Sequence, residues 1–249
     1  MRALVKPKRT VIKVLLFAGL IAATAFAWAG PVAGTVTHLS GPLLAKKADG
    51  TVKVLARKSE VEQGDTLIAE KGTYAQIRFI DNSEVTLKPD TTFKIDAFAY
   101  EAGKPEADSA SFSLVKGGLR SITGLLGKRN KEKFSLKTPT ATIGIRGTTF
   151  IVQYVKEGGP AGTASLPPGM HVQVVDGAII VTNSGGSLGF AAGQFGYVPS
   201  MVQPPVIVPV NPGLHFAPPP AFANAGVQVS TAGGMAVAGA DGAVDCIVR

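Results

Sequence analysis

The sequence predicts an all-β domain, and three observations support this class. Apolar and polar residues alternate over short runs between residues 34 and 100, which is the period of half-buried strands. Turn-forming pairs such as Asp49-Gly50 separate these runs. Beyond the N-terminal leader, no stretch sustains the helical period of about 3.6 residues. We therefore expect short antiparallel strands and hairpins, assembled as a twisted sandwich or a solenoid-like stack.

Two segments carry the hairpin pattern most clearly. They are residues 72–87 and 171–182, and each places an acidic residue and a turn former between two alternating runs, at Asp81-Asn82 and at Asp176-Gly177. The run at residues 146–154 echoes them. Because solenoids usually contain three or more repeats, this echo leaves both the sandwich and the stack open.

The first 29 residues have the composition of an export signal. Residues 1–13 contain five basic residues and no acidic one, residues 14–27 are apolar or small, and Ala27-Trp28-Ala29 fits the small-x-small cleavage rule. We expect cleavage after Ala29, export to the periplasm or beyond, and no membrane span in the mature protein. An uncleaved anchor is the alternative, although the apolar run is shorter than the ~20 residues that cross a bilayer comfortably.

The net charge and the cysteine content argue against nucleic-acid binding and against stabilisation by a disulfide. The full sequence has a formal net charge of +8, and +3 remains once the five basic residues of the leader are removed. So small a charge does not indicate binding to nucleic acid. The single cysteine, Cys246, excludes an internal disulfide, so the fold has to be stabilised by ordinary burial.

We predict no catalytic, cofactor or metal site. The histidines His38, His171 and His215 lie in separate segments without the spacing of a zinc motif, and His38 and His171 fall in strand patterns that favour satisfied structural roles. No serine has the context of a nucleophile elbow. The aspartates fall mostly at turns, where they cap backbone N–H groups. The sequence therefore predicts a non-enzymatic protein; an envelope polysaccharide hydrolase or lyase that depends on Asp176 or His171 is the alternative.

Residues 114–152 hold the most position-specific residues of the chain. A glycine pair follows a strand pattern, a Thr-Pro-Thr run sets a bend, and two glycines flank Ile145-Arg146. We expect Arg146 to pack its stem in the fold and to bind backbone carbonyls or one acidic partner. The residues singled out are Gly117, Gly118, Thr138, Pro139, Thr140, Gly144, Arg146 and Gly147.

These motifs resemble the FecR domain, a β-rich periplasmic module first associated with iron-dicitrate signalling. The run TPTATIGIRGTTF, preceded about 20 residues upstream by VKGGLRSITG, carries the resemblance, which extends over residues 34–198. The resemblance implies a binding module in the bacterial cell envelope, with a protein or glycan partner and with the motif residues serving structure or binding. It implies, as an alternative, a periplasmic component of iron uptake or sigma-factor signalling, joined through a separate membrane partner.

A basic cluster precedes the Thr-Pro-Thr run. It could meet phosphate or carboxylate groups of a glycan or an acidic protein. The alternative is a solvated loop, which the interspersed Glu132 favours. The cluster consists of Lys128, Arg129, Lys131 and Lys133.

The last region, residues 199–249, differs in composition from the domain over residues 30–198. Eight prolines fall between residues 199 and 220, which favours extended chain over helix or central strand. Residues 216–242 are rich in Ala and Gly and poor in large apolar side chains. We expect this tail to be disordered, or to lie along the domain or a partner.

Overall fold

The computed structural model describes residues 30–158 and 166–222. The predicted leader and residues 223–249 lie outside the described residues. Strands dominate the described part, with one short α-helix, α1 (Leu125–Arg129), followed by a 3₁₀ turn over Lys131–Lys133. The strands are β1 (Val32–Leu39), β2 (Leu43–Lys46), β3 (Val52–Leu55), β4 (Glu60–Glu62), β5 (Thr66–Ala69), β6 (Ala75–Phe79), β7 (Glu84–Leu87), β8 (Thr91–Ala99), β9 (Ser109–Ile122), β10 (Phe134–Lys137), β11 (Thr142–Val155), β12 (Gly169–Asn183), β13 (Gly186–Ala191), β14 (Phe195–Val198) and β15 (Val206–Val208).

All fifteen of these strands join one open, mixed sheet. Its main path runs β15-β14-β12-β11-β10-β9-β7-β6-β1-β4, while β13 adds to β12, and β8, β5, β2 and β3 branch in turn from β9. Among the described strands, only the β9–β10 pair is parallel. The prediction of an all-β fold built mainly from antiparallel strands is confirmed. The described strands form one connected sheet.

The sheet bends around a shared apolar core. Phe79 of β6 and Phe98 of β8 have ring centroids 4.9 Å apart, although β7 and β9 separate their strands in the sheet. Phe112 of β9 lies against both rings. Burying one such side chain contributes roughly 1.5–3 kcal/mol. The curvature therefore brings distant strands together, and it explains why no second sheet is needed to cover the core.

The two predicted hairpins have different outcomes. Residues 72–87 form the β6–β7 hairpin, with Asn82 at φ 61° in its turn. The prediction at Asp176-Gly177 is wrong, because β12 continues through this pair. Gly177 lies at a bulge opposite Gly147 of β11, where the register shifts between the two strands. Both glycines have positive φ, so the same signal that favours a turn here bends a long pair of strands.

Gly117 and Gly118 mark the point where β9 changes its neighbours. Residues 109–116 pair with β8 and residues 119–122 pair with β7. Gly117 has φ +85°, and a Cβ at this position would lie 2.7 Å from the carbonyl oxygen of Asp90. The N–H of Gly118 donates to Thr91 Oγ1 at 3.0 Å. Glycine is therefore needed here for the backbone crossing itself.

The first part of the proline-rich tail lies on the domain. Strand β15 extends the sheet beyond Val198 by pairing with β14. Farther on, Leu214 packs in a small apolar cluster with Ile151 and Leu166, and Phe222 is buried. For residues 199–222 the structure thus agrees with the alternative in which the tail is laid along the domain.

Candidate functional site

The Thr-Pro-Thr run forms the tight turn between β10 and β11. The Thr138 hydroxyl donates to the carbonyl of Ala141 at 2.9 Å and accepts from the Ala141 N–H at 3.1 Å. A second bond joins the Thr138 N–H to the same carbonyl at 2.8 Å. Pro139 is exposed and Thr140 is buried. These residues hold the hairpin and position the start of β11, rather than presenting a contact surface.

Beyond this turn, β11 presents two different faces. Ile143 and Ile145 are buried in the core, whereas Gly144 and Arg146 alternate with them and face outward. The expectation that Arg146 packs within the fold is wrong, because its side chain is exposed and makes no hydrogen bond or salt bridge within the described residues. Strand parity decides this outcome, since the neighbouring isoleucines take the core side.

An open groove lies on the outward face of this segment. Its volume is about 520 Å³. Phe134, Ile145 and Ile180 supply apolar surface, and Lys131 and Arg146 supply positive charge. A surface of this composition fits a partner that offers both an apolar side chain and an acidic group. The remaining lining residues are Glu132, Thr142, Gly144 and Thr182.

Gly144 keeps the groove open. A Cβ built on this residue meets nothing closer than the Ile180 carbonyl oxygen at 3.9 Å, and its φ lies outside the positive range. The backbone therefore does not require glycine at this position, in contrast to Gly117 and Gly177. The lack of a side chain at this position leaves space on the surface beside Arg146.

The wall of the groove is fixed from the other side by α1 and the turn after β6. The N–H of Leu125 donates to the carbonyl of Asp81 at 2.8 Å, and the Asp81 carboxylate accepts from the Leu126 N–H at 3.2 Å. A Cβ on Gly127 would lie 2.6 Å from the Ile145 side chain, so α1 packs directly on β11. The same carboxylate accepts from the local Ser83 N–H at 2.9 Å, which is the capping predicted for turn aspartates, while its bond to Leu126 was not predicted.

The predicted basic cluster divides into two parts. Lys128, Lys131 and Lys133 are exposed and form no salt bridge within the part of the chain that the structure describes. Arg129 belongs to the fold instead. Its guanidinium donates to both carboxylate oxygens of Asp108, at 2.7 and 2.6 Å, and also lies over the Tyr100 ring. Sequence reasoning missed Asp108, which is distant in sequence and carries no motif.

Asp108 is charged and enclosed in this corner. Its side chain has 0% exposure, against 26% for Arg129. Hydrogen bonds from Arg129 lower the pKa of Asp108 despite its burial, and Asn130 and the charge of Lys133 act in the same direction. Two further bonds, from Arg129 to the carbonyls of Glu101 and Ala102, complete the arrangement.

His171 of β12 is enclosed by the fold. His171 is buried, its ring stacks on Tyr197 at 4.6 Å, and its Nε2 lies 2.8 Å from the Pro167 carbonyl oxygen. Burial lowers the pKa of His171, which favours the neutral ring, although the hydrogen bond to the Pro167 carbonyl acts in the opposite direction. Its Nδ1 has no partner in the described chain, so the histidine is structural but not fully satisfied. Asp176, farther along β12, is exposed. No group of three or more His, Cys, Asp or Glu residues that could hold a metal occurs among residues 30–158 and 166–222.

Comparison with known families agrees with the motifs on either side of this groove. Residues 65–180 match the family model described as FecR protein. Residues 65–180 therefore form a FecR domain. The matched range includes the β9 crossing and every groove-lining residue except Thr182, while β1 to β4 of the structure precede it. No helix in the described part of this FecR-domain protein is long and apolar enough to cross a membrane.

Solved structures give weaker similarity to this FecR-domain protein. Two crystal structures of a provisionally assigned anti-sigma factor from Parabacteroides distasonis ATCC 8503 match with 16% identity and a TM-score of 0.43. The match covers 57% of this chain and 58% of that one, so the chain spans less than two thirds of its length. A cell surface anchoring domain matches over 25% of this chain and 83% of its own, with 24% identity and a TM-score of 0.25. A comparison with curated proteins finds no match.

Proposed function

We propose that this protein is an exported, non-enzymatic binding module of the bacterial cell envelope, and that its FecR domain receives a protein partner in the groove beside Arg146. One observation carries the proposal. The family motif places Arg146 and Gly144 on an exposed strand face, where they line an open groove together with Lys131. A purely structural motif would turn these positions inward or require glycine for its backbone.

The arrangement of candidate catalytic groups supports the non-enzymatic part of the proposal. His171 is buried against Tyr197, and Asp176 is exposed farther along the same strand. A general acid and base have to reach the same substrate atoms. His171 is thus enclosed by the fold and Asp176 lies apart from it, so neither residue of the polysaccharide-active alternative has an acid or base partner in the other.

The test compares two glycine substitutions in the mature protein. Gly144→Ile fills the groove, whereas Gly189→Ile adds the same side chain on the neighbouring edge strand β13, where a Cβ also meets nothing closer than a carbonyl oxygen at 3.9 Å. Envelope protein captured by the wild-type protein is identified, purified and titrated against each variant by calorimetry. We expect Gly144→Ile to lose binding and Gly189→Ile to retain it. Equal affinity for both variants would reject the groove as the contact.

Sigma-factor signalling is a second candidate, and the FecR family match favours it. In this role the groove would contact a membrane partner that relays the signal. The experiment is a transcript profile of cells that carry Gly144→Ile or Gly189→Ile at the native locus. Loss of a sigma-dependent gene set with Gly144→Ile alone supports signalling. An unchanged profile together with lost partner binding leaves a binding function without a transcriptional output.

A further inference from the structure

Two half-buried cations lie together on another face of the sheet. Arg120 of β9 is opposite Thr86 of β7, and the N–H of Lys88 donates to the Gly118 carbonyl at 2.8 Å. Lys88 and Arg120 are therefore diagonal neighbours on adjacent strands and point to the same side, with Cα atoms about 7–8 Å apart in such an arrangement. Neither residue lines the groove beside Arg146.

Lys88 is bound only by neutral oxygens. Its ammonium group donates to Gln153 Oε1 at 2.6 Å and to the carbonyl oxygen of His215 at 2.8 Å. No carboxylate forms a salt bridge with it in the described part of the chain. Burial lowers the pKa of Lys88, in keeping with a cation that has been taken partly out of water without a counter-charge.

Arg120 is less satisfied still. Its Nε is buried and has no hydrogen-bond acceptor within the described residues, and no salt bridge involves its guanidinium there. The nearest carboxylate along the paired strand, that of Glu84, is already engaged: it accepts from Arg78 at 2.7 and 2.9 Å and from Gln76 at 3.2 Å. Arg120 is thus a half-buried donor whose bonding capacity the described fold leaves unused.

Unpaired, partly buried charge is costly to a fold, so such a group marks a candidate site where a ligand supplies the missing partner. We propose that Lys88 and Arg120 form an anion-binding site that takes a carboxylate side chain from an acidic peptide. This site is distinct from the groove of the proposed function and does not depend on it.

A peptide is favoured as the ligand because this face already holds one extended chain. Residues 211–222, which we call the strap, cross it, and the strap carbonyl at His215 is one of the two acceptors of Lys88. Phe216 and Phe222 of the strap lie edge-on to Tyr74, each with ring centroids 6.2 Å apart. An acidic peptide that runs beside the strap can direct a Glu or Asp oxygen to the guanidinium of Arg120 in a charge-assisted hydrogen bond.

The experiment titrates the mature protein with an acetylated, amidated Gly-Glu-Glu-Gly peptide and with its Gly-Gln-Gln-Gly counterpart, followed by NMR. We expect the Glu peptide to shift the Arg120 Nε–H and Gly118 N–H signals, and the Gln peptide to leave them in place. Inorganic phosphate serves as the second anion. If the Gln peptide shifts the signals equally, or if phosphate binds this pair more tightly than the Glu peptide, the proposal is wrong.

Arg120→Leu tests the site without removing a side-chain hydrogen bond or salt bridge from the described part of the fold. We expect it to weaken Glu-peptide binding by about tenfold or more, which is the order of one charge-assisted contact. Thermal stability should be unchanged or higher, because an unpaired charge is removed. Lys94→Met is the control, since it changes the net charge equally but removes a cation already paired with Asp96 on β8. A drop in melting temperature with full peptide affinity in Arg120→Leu would mark a structural residue and overturn the proposal.

Discussion

Arg129 and Arg146 lie in the same basic, glycine-rich segment, yet the fold treats them in opposite ways. Arg129 closes a corner by binding Asp108, two backbone carbonyls and the face of Tyr100. Arg146 stands exposed on the outward face of β11 and makes no such bond within the described residues. One motif segment therefore both stabilises the domain and forms part of its open surface. The structural elements that surround each arginine determine which of these roles it has.

The largest expected effect comes from breaking the closed corner. Asp108→Ala leaves the partly buried guanidinium of Arg129 without its carboxylate, and removing one member of such a pair costs about 3 kcal/mol. Urea denaturation of the mature protein measures the loss in the free energy of unfolding. A change no larger than that of a surface substitution would show that the corner does not support the domain.

The next largest effect is a difference in stability between substitutions at two glycines of the motif segment. Gly117→Ala places a Cβ 2.7 Å from the Asp90 carbonyl oxygen at φ +85°, so we expect a loss of about 1–3 kcal/mol. Gly144→Ala meets no such contact and should change stability by less than about 1 kcal/mol. Thermal denaturation of both variants checks the contrast. Similar losses in both would mean that the groove position is as constrained as the β9 crossing.

The pH dependence of stability tests the contribution of the Asp108–Arg129 pair. The folded state lowers the pKa of Asp108, so its contribution is present above the unfolded pKa of about 3.9 and is lost as the pH falls through the lower folded value. Asp108→Asn should therefore show a shallower loss of stability in acid than the wild-type protein. Denaturation midpoints measured from pH 6 downward test this, and parallel curves for the two proteins would contradict it.

The smallest expected effect on stability is that of Arg146→Ala. Because the side chain is exposed and makes no salt bridge in the described chain, we expect a change within about 0.5 kcal/mol. The same variant should weaken binding of the partner captured by the wild-type protein, as measured by calorimetry. A clear loss of stability would return Arg146 to the structural role first predicted for it.

Much of the fold was predictable because its signals are local. Alternation with period two identified the β6–β7 hairpin, and the turn chemistry of Asp81-Asn82 located its bend. The FecR motif likewise identified the family that the comparison confirms. The pair Asp176-Gly177 shows the limit, since positive φ at glycine serves a hairpin turn and a bulge equally well. The pairing of β12 with β11 decides between them.

Only part of the membership of the candidate site was predictable. The sequence placed Gly144, Arg146 and Lys131 among the residues of interest, but their meeting in one groove depends on α1 packing against β11. The location of the tail was also left open, because proline content restricts the backbone without selecting a contact.

By itself, then, the sequence determined the β class, turns such as Asp81-Asn82, and positions such as Gly117 where the backbone needs glycine, because these depend on backbone conformation within a few residues. Only the tertiary structure decided that Arg129 forms a salt bridge and that Arg146 forms none within the described residues. Asp108, Gln153 and the strap carbonyl of His215 reach their cationic partners across long separations in sequence. Charge pairing depends on distance in space, and only the curvature and register of the sheet set that distance.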